Sequence, residues 1–174
     1  VYYRLTSSED LKIVVENYVK ERYSYAKTKQ LSRASDFYLQ HLDSATFYKK
    51  KNIEKSLSFI EKALKSKENK KRNATTYKLL ADVYLYWKQY DLAAYNYKLS
   101  YQIYQDKSTK IALSKAQFLS NNYKDSEQTY QELIEEKLST YESIQVFEGL
   151  GDVFVITKKL DASIANYQKA LQVA

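Results

Sequence analysis

Apolar residues recur along this chain with the three- and four-residue spacing of amphipathic helices, and short polar turns separate the runs. In the stretch from 74 to 104, two such runs are joined by a polar turn. Its pattern returns 70 residues later, because Leu80-Ala81-Asp82-Val83-Tyr84 matches Leu150-Gly151-Asp152-Val153-Phe154. Seventy residues are two periods of about 35, close to the length of a helix–turn–helix repeat. The pattern therefore predicts an array of stacked helix pairs.

We predict an all-α fold of about nine helices. The first covers about residues 8–27 after a capping-box pattern that begins at Thr6, so residues 1–36 are expected to form an N-terminal helix or a connector. The other helices form four pairs. The lack of proline and the helix-favouring residues at exposed positions support this assignment. The predicted repeats are about 37–73, 74–106, 107–143 and 144–174.

Small residues occupy equivalent positions on both helices of each predicted pair, with an aromatic ring nearby in most repeats. Small side chains let two helix backbones approach closely, so these positions should form the contact within a pair. One pair alone cannot bury both of its apolar faces, and neighbouring pairs must therefore stack. The small residues are Ala81, Ser114 and Gly151, with Ser44 or Ala45, on the first helices, and Ser56, Ala93, Ser126 and Ser163 on the second helices.

This arrangement resembles the tetratricopeptide repeat (TPR), in which an aromatic residue, Leu-Gly, Tyr, Ala and a second aromatic residue follow at fixed spacing. The second repeat matches with Tyr77, Leu80, Ala81, Tyr84, Ala93 and Tyr97, and the fourth with Phe147, Leu150, Gly151, Phe154, Ser163 and Tyr167. The resemblance covers about residues 37–174 and implies a right-handed α-solenoid of antiparallel helix pairs. The proline that usually closes such a repeat is absent.

The resemblance further implies a concave groove, lined by the first helix of each pair, that binds a peptide or a helix. Its mixture of aliphatic, aromatic and charged side chains predicts an amphipathic partner segment. Alternatively, the neighbouring unit or the N-terminal helix covers several of the apolar residues. The predicted groove residues are Tyr48, Lys78, Asp82, Leu85, Tyr86, Ile111, Lys115, Phe118, Leu119, Glu148, Asp152, Val155 and Ile156, and His41, Lys49 and Thr75 would extend the set.

The composition limits the chemistry. There is no cysteine, which excludes disulfides and thiolate metal sites. His41 is the only histidine, and Gly149 and Gly151 are the only glycines, so the chain lacks a glycine-rich phosphate loop. Close helix packing accounts for Gly151, whereas Gly149 has no account beyond its small size. We therefore predict no enzyme activity, no cofactor and no metal site, and a protein or peptide as the partner.

Charge is distributed unevenly. Residues 1–72 hold 17 Lys and Arg against 9 Asp and Glu, whereas the remaining residues are nearly balanced. Part of the excess lies in 65–73, which the pattern predicts to be a polar connection between repeats. This basic half offers nucleic-acid or anionic-surface binding as an alternative function. Because the tyrosines mostly fill core positions of the repeat, they are poor evidence for base stacking, and nucleic acid is the weaker hypothesis.

The leading hypothesis is a protein-interaction or sensor module. The chain lacks methionine even at position 1, so we expect a piece of a longer protein. Its lysine- and tyrosine-rich composition resembles the sensory part of some Bacteroidetes regulatory proteins, which implies the regulatory part of a larger bacterial signalling protein. A structural assembly or secretion scaffold that acts through oligomerisation is the alternative. No apolar run approaches a membrane span, and both a cytoplasmic and a periplasmic location stay open.

Overall fold

A computed structural model describes residues 33–65 and 69–174, which form eight α-helices and no strand. The predicted helix near 8–27 lies outside the described residues. Connections of three or four residues make the two helices of each pair antiparallel, and successive pairs pack side by side. The helices are α1 (Arg33–Tyr48) and α2 (Ile53–Leu64), α3 (Lys70–Tyr86) and α4 (Tyr90–Ile103), α5 (Lys107–Leu119) and α6 (Tyr123–Ile134), and α7 (Thr140–Ile156) and α8 (Leu160–Val173).

The small residues predicted to join the helices of a pair are buried at those contacts. In three of the four pairs, a serine hydroxyl on the second helix donates to a carbonyl oxygen of the first helix, at 2.8–3.0 Å. These bonds run from Ser56 to Ala45, from Ser126 to Ser114 and from Ser163 to Gly151. A larger side chain at these sites would separate the two backbones, so the hydrogen bond and the close packing depend on the same small residues.

Successive pairs are joined by three apolar clusters rather than one central core. Ile60 of α2 packs with Val83 of α3, and Tyr97 of α4 packs with Leu113 of α5. The largest cluster joins α6 to α7 and includes Leu150. Each second helix is therefore covered by the first helix of the next pair, as expected for a solenoid.

In three of the four pairs, the middle residue of the turn has a left-handed backbone conformation. Lys88, Asn121 and Lys158 have φ between 60° and 64°, and each follows the last residues of a first helix. At the first of these turns, the amide of Gln89 donates to the carbonyl of Tyr84 at 2.8 Å, which closes the helix end. The chain thus reverses direction in three residues without glycine or proline.

Side-chain caps begin the helices that follow the connections between pairs. Asn69 and Asp106 accept backbone amide hydrogens at the starts of α3 and α5, and Ser139 forms a reciprocal capping box with Glu142 at α7. The cap at Asn69 also corrects the predicted polar connection at 65–73. Because its cap starts α3 at Lys70, the residues at 70–73 form the first turn of a helix and do not belong to the connection.

No helix in the described ranges 33–65 and 69–174 is both long and apolar enough to cross a membrane.

Candidate partner-binding groove

A cavity of about 290 Å³ lies between α5 and α7, the first helices of the third and fourth pairs. It brings together side chains that the sequence predicted as groove residues and adds Tyr130 of α6 as part of its wall. Gln145 and Gly149 were missed, because the TPR pattern does not mark their positions for ligand contact. The cavity is lined by Ile111, Lys115, Phe118, Leu119, Tyr130, Gln145, Glu148, Gly149 and Asp152.

The apolar side of the cavity is continuous with the core. Phe118 packs against the cluster between α6 and α7, and its ring meets Tyr123 edge-on at 5.7 Å between centroids. Ile111, predicted as an open groove residue, is only 7% exposed and belongs to that cluster. It therefore lies at the bottom of the cavity, where it supports the wall more than it offers a contact surface.

The charged side of the cavity is formed by Lys115, Glu148 and Asp152, all of them exposed. Asp152 accepts a hydrogen bond from the hydroxyl of Tyr167 at 2.7 Å, and this bond raises the pKa of Tyr167. Lys115 and Glu148 make no hydrogen bond or ion pair with any residue that the structure describes. Two carboxylates and one ammonium group therefore face the same opening.

Tyr130 explains the glycine for which the sequence offered no reason. A Cβ atom at position 149 would lie 2.2 Å from Cζ of the Tyr130 ring, so only glycine lets this ring cross α7. The tyrosine is 3% exposed, and burial together with the charge of Asp152 raises its pKa. Its hydroxyl stays protonated and has no hydrogen-bond partner among the described residues. A polar hydroxyl from an otherwise buried residue therefore forms part of the cavity wall.

The predicted groove residues of the second pair are mostly engaged within the array. Lys78 donates to the hydroxyl of Ser108 at 2.6 Å and lies 3.6 Å from the carboxylate of Asp106. Burial raises the pKa of Asp106, but hydrogen bonds from Ser108 and Thr109 outweigh it and bring the pKa below its ordinary value. Lys78, predicted to contact a partner, therefore ties α3 to the start of α5.

Asp82 is engaged in a similar way. It accepts a hydrogen bond from the hydroxyl of Tyr97, and its other carboxylate oxygen lies 3.8 Å from the ammonium group of Lys49. Leu85 is half-buried against the cluster that joins α4 to α5. Tyr86, in contrast, is open, with 49% of its surface exposed.

The first pair contributes less to the groove than predicted. Tyr48 stacks on Phe59 of α2, with the rings nearly parallel and 5.8 Å apart, and therefore lies between the two helices of the pair. His41 is buried and stacks on the same phenylalanine at 5.7 Å. Burial, aided by the charge of Lys62, lowers the pKa of His41. Both side chains hold the pair together.

The groove predictions at the end of α7 stay predictions. Val155 and Ile156 are 44% and 50% exposed, so both are open to a partner. They do not line the cavity between α5 and α7. Thr75, at the other margin, is exposed and lines a separate shallow cavity beside Lys71 and Tyr104.

Solved structures with a similar backbone identify the architecture. A crystal structure of MamA has a TM-score of 0.69 at 11% identity, with 99% of this chain and 96% of that chain covered. The structure of BtubC (BKLC) from P. vanneervenii has a TM-score of 0.69 at 20% identity and covers 97% and 74%. The fold is a TPR-like α-solenoid.

A MamA RS-1 ArsTM double mutant is similar as well, with a TM-score of 0.68 at 16% identity over 91% of this chain and 84% of that one. No family model matches the chain, and no curated protein matches its sequence. At these identities the likeness establishes the fold alone. It confirms the predicted all-α solenoid, whereas function has to be argued from the groove.

Proposed function

We propose that this chain is a protein-interaction module that holds a peptide segment of a partner in the groove between its first helices. The observation that carries the proposal is the cavity between α5 and α7. It places apolar side chains, among them Phe118 and Leu119, beside the charges of Lys115 and Glu148, which form no ion pair with any described residue. An amphipathic segment, with apolar anchors and polar edges, complements such a surface.

The groove supports binding more than catalysis. The described residues contain no group of three potential metal ligands, and the only histidine is buried against Phe59. The charged groups of the cavity are common lysine and carboxylate side chains that face solvent.

We further propose that the module belongs to the regulatory part of a bacterial signalling protein. This proposal rests on the resemblance of its composition to such sensory regions.

Site-specific photocrosslinking tests the proposed groove. A benzophenone amino acid at Tyr86, on the groove side, should form adducts with a partner in cells. The same amino acid at Tyr95, on the second helix α4, should not, although Tyr95 is the more exposed of the two at 61%. The replacement is aromatic for aromatic in both cases, so the pair is matched. Adducts of equal yield at Tyr95 would contradict the groove as the binding surface.

The partner found in this way also tests the cavity. Phe118→Ala is expected to weaken its binding at least tenfold, because truncating a central aromatic hot spot costs about 2 kcal/mol or more, and about 1.4 kcal/mol is a tenfold change. Calorimetry measures the affinity, and circular dichroism checks that helicity is kept. Loss of helicity in the variant would assign Phe118 to the core instead.

Assembly through oligomerisation is the second candidate, and the last helix favours it. Leu160, Ile164 and Leu171 form one stripe on α8 and are 56–78% exposed. At the corresponding positions of α6, Tyr123 and Ile134 are half-buried against the cluster that they share with α7. If the stripe joins copies of the chain, light scattering should show a mass that rises with concentration, and Ile164→Lys should restore the monomer. A constant monomer mass at high concentration would exclude this candidate.

A further inference from the structure

Two aspartates at equivalent positions of the array have different surroundings. Asp82 binds the hydroxyl of Tyr97 with one oxygen and faces Lys49, from the end of α1, with the other. Asp152 lies 70 residues later and binds the hydroxyl of Tyr167 with the equivalent oxygen. The residue 70 positions after Lys49 is Leu119. The acid is thus repeated at the junction of the third and fourth pairs, but the lysine of the chain that would neutralise it is not.

Two further acceptors of the cavity, Glu148 and Tyr130, have no cationic partner among the described residues. Glu148, one turn before Asp152 on α7, also makes no ion pair among the described residues. The hydroxyl oxygen of Tyr130, a residue that is only 3% exposed, has free lone pairs and lies beside Gly149 in the cavity wall. Lys115 is the one base in the lining, and it is exposed to solvent, which screens its repulsion.

We propose that this cavity binds the guanidinium group of an arginine from the partner segment. The guanidinium takes a position equivalent to that of the Lys49 ammonium at the first junction. From this position it donates to the free oxygen of Asp152, to Glu148 and to Tyr130. The planar fork of arginine carries five N–H donors, enough for three acceptors of this kind. Its aliphatic stem lies along Leu119 and Phe118. The assignment of the arginine to a partner segment rests on the proposed function. The binding of a guanidinium group by the cavity does not depend on it.

A fragment experiment tests the chemistry without a partner. N-Ethylguanidinium is titrated into the ¹⁵N-labelled protein, and N-ethylurea, which is neutral and similar in shape, serves as the matched probe. Saturable shifts of the Gly149 and Asp152 amide signals are expected with the guanidinium alone. Equal shifts with the urea would overturn the proposal, because binding would then not depend on charge.

A variant of one residue sharpens the same experiment. Leu119→Lys supplies the ammonium group that Lys49 supplies to Asp82, and it should weaken the binding of N-ethylguanidinium at least tenfold. Leu119→Met, of similar volume and without charge, should leave binding within a factor of about two. Asp152→Asn should behave like the lysine variant. Unchanged binding in Leu119→Lys or in Asp152→Asn would refute the site.

Peptides separate the failure of this site from the failure of the proposed function. An amphipathic helical peptide with one central arginine is compared by calorimetry with the same peptide carrying citrulline, and the citrulline peptide should bind at least tenfold more weakly. Equal affinities of the two peptides would contradict the arginine site and would still support the peptide groove. If N-ethylguanidinium binds and neither peptide does, the result would support the cation site and count against the peptide groove.

Discussion

Gly149→Ala is expected to lower the free energy of unfolding by about 2 kcal/mol, although alanine favours helices by about 1 kcal/mol over glycine. The added Cβ would lie 2.2 Å from Cζ and 2.4 Å from the hydroxyl oxygen of Tyr130. That ring is buried between α6 and α7, with Leu133 and Leu150 in the same cluster. It can move aside only by disturbing the packing that joins the third pair to the fourth.

The second glycine gives a matched control for this prediction. A Cβ at Gly151 would lie 2.5 Å from the ring of Tyr167, a contact that is nearly as close. Tyr167, however, is half-exposed and can rotate towards solvent. Gly151→Ala is therefore expected to cost less than half as much as Gly149→Ala. Urea unfolding followed by circular dichroism measures both. Equal losses would mean that the exposure of the facing ring does not govern the cost.

The two glycines differ in how much of their surroundings the repeat pattern predicts. The contact of Gly151 lies within one helix pair, so the repeat pattern places it opposite Ser163 and its neighbours on α8. Gly149 contacts a ring from the preceding pair, and the pattern carries no information about how far that ring reaches. Contacts within a pair follow from the period, whereas contacts between pairs depend on the angle and distance at which the pairs stack.

The same distinction explains the predicted groove. The TPR pattern identified the helix face that lines the cavity, including Phe118 and Glu148. It could not reveal that Asp106 would bind Lys78 or that Lys49 would face Asp82, since these partners come from neighbouring pairs. Polar residues on a predicted binding face are therefore available to a partner only where the next unit does not already bind them.

Tyr97→Phe is expected to lower the free energy of unfolding by about 2 kcal/mol, because hydrogen bonds to charged groups typically contribute about 1.5–3 kcal/mol. The side chain is 1% exposed, and its hydroxyl donates to Asp82. Tyr167→Phe removes the equivalent bond to Asp152, but there water can replace the lost donor. Its effect should stay below about 1 kcal/mol, the usual worth of an exposed polar contact.

The dependence of stability on pH gives a second test of the bond from Tyr97 to Asp82. Burial, together with the hydrogen bond to Asp82, raises the pKa of Tyr97 above the ordinary value of 10.0. A pKa raised by folding means that the contribution of this group to stability is fully present below pH 10 and falls as the pH rises above it. Stability measured from pH 8 to pH 11 should therefore decline less steeply in Tyr97→Phe than in the unaltered protein, and an equally steep decline would contradict the prediction.

A double-mutant cycle tests whether the two aspartates differ as the groove requires. Combining Asp82→Asn with Tyr97→Phe should reveal a coupling of about 1–2 kcal/mol, within the range seen for residues of one hydrogen-bond network. The cycle of Asp152→Asn with Tyr167→Phe should show less than half of this coupling. Asp82 is held by its own chain from two sides, whereas Asp152 keeps one oxygen open at the cavity. A strong coupling at Asp152 would mean that its carboxylate is already committed to the fold, and this would weaken the case that it binds a partner.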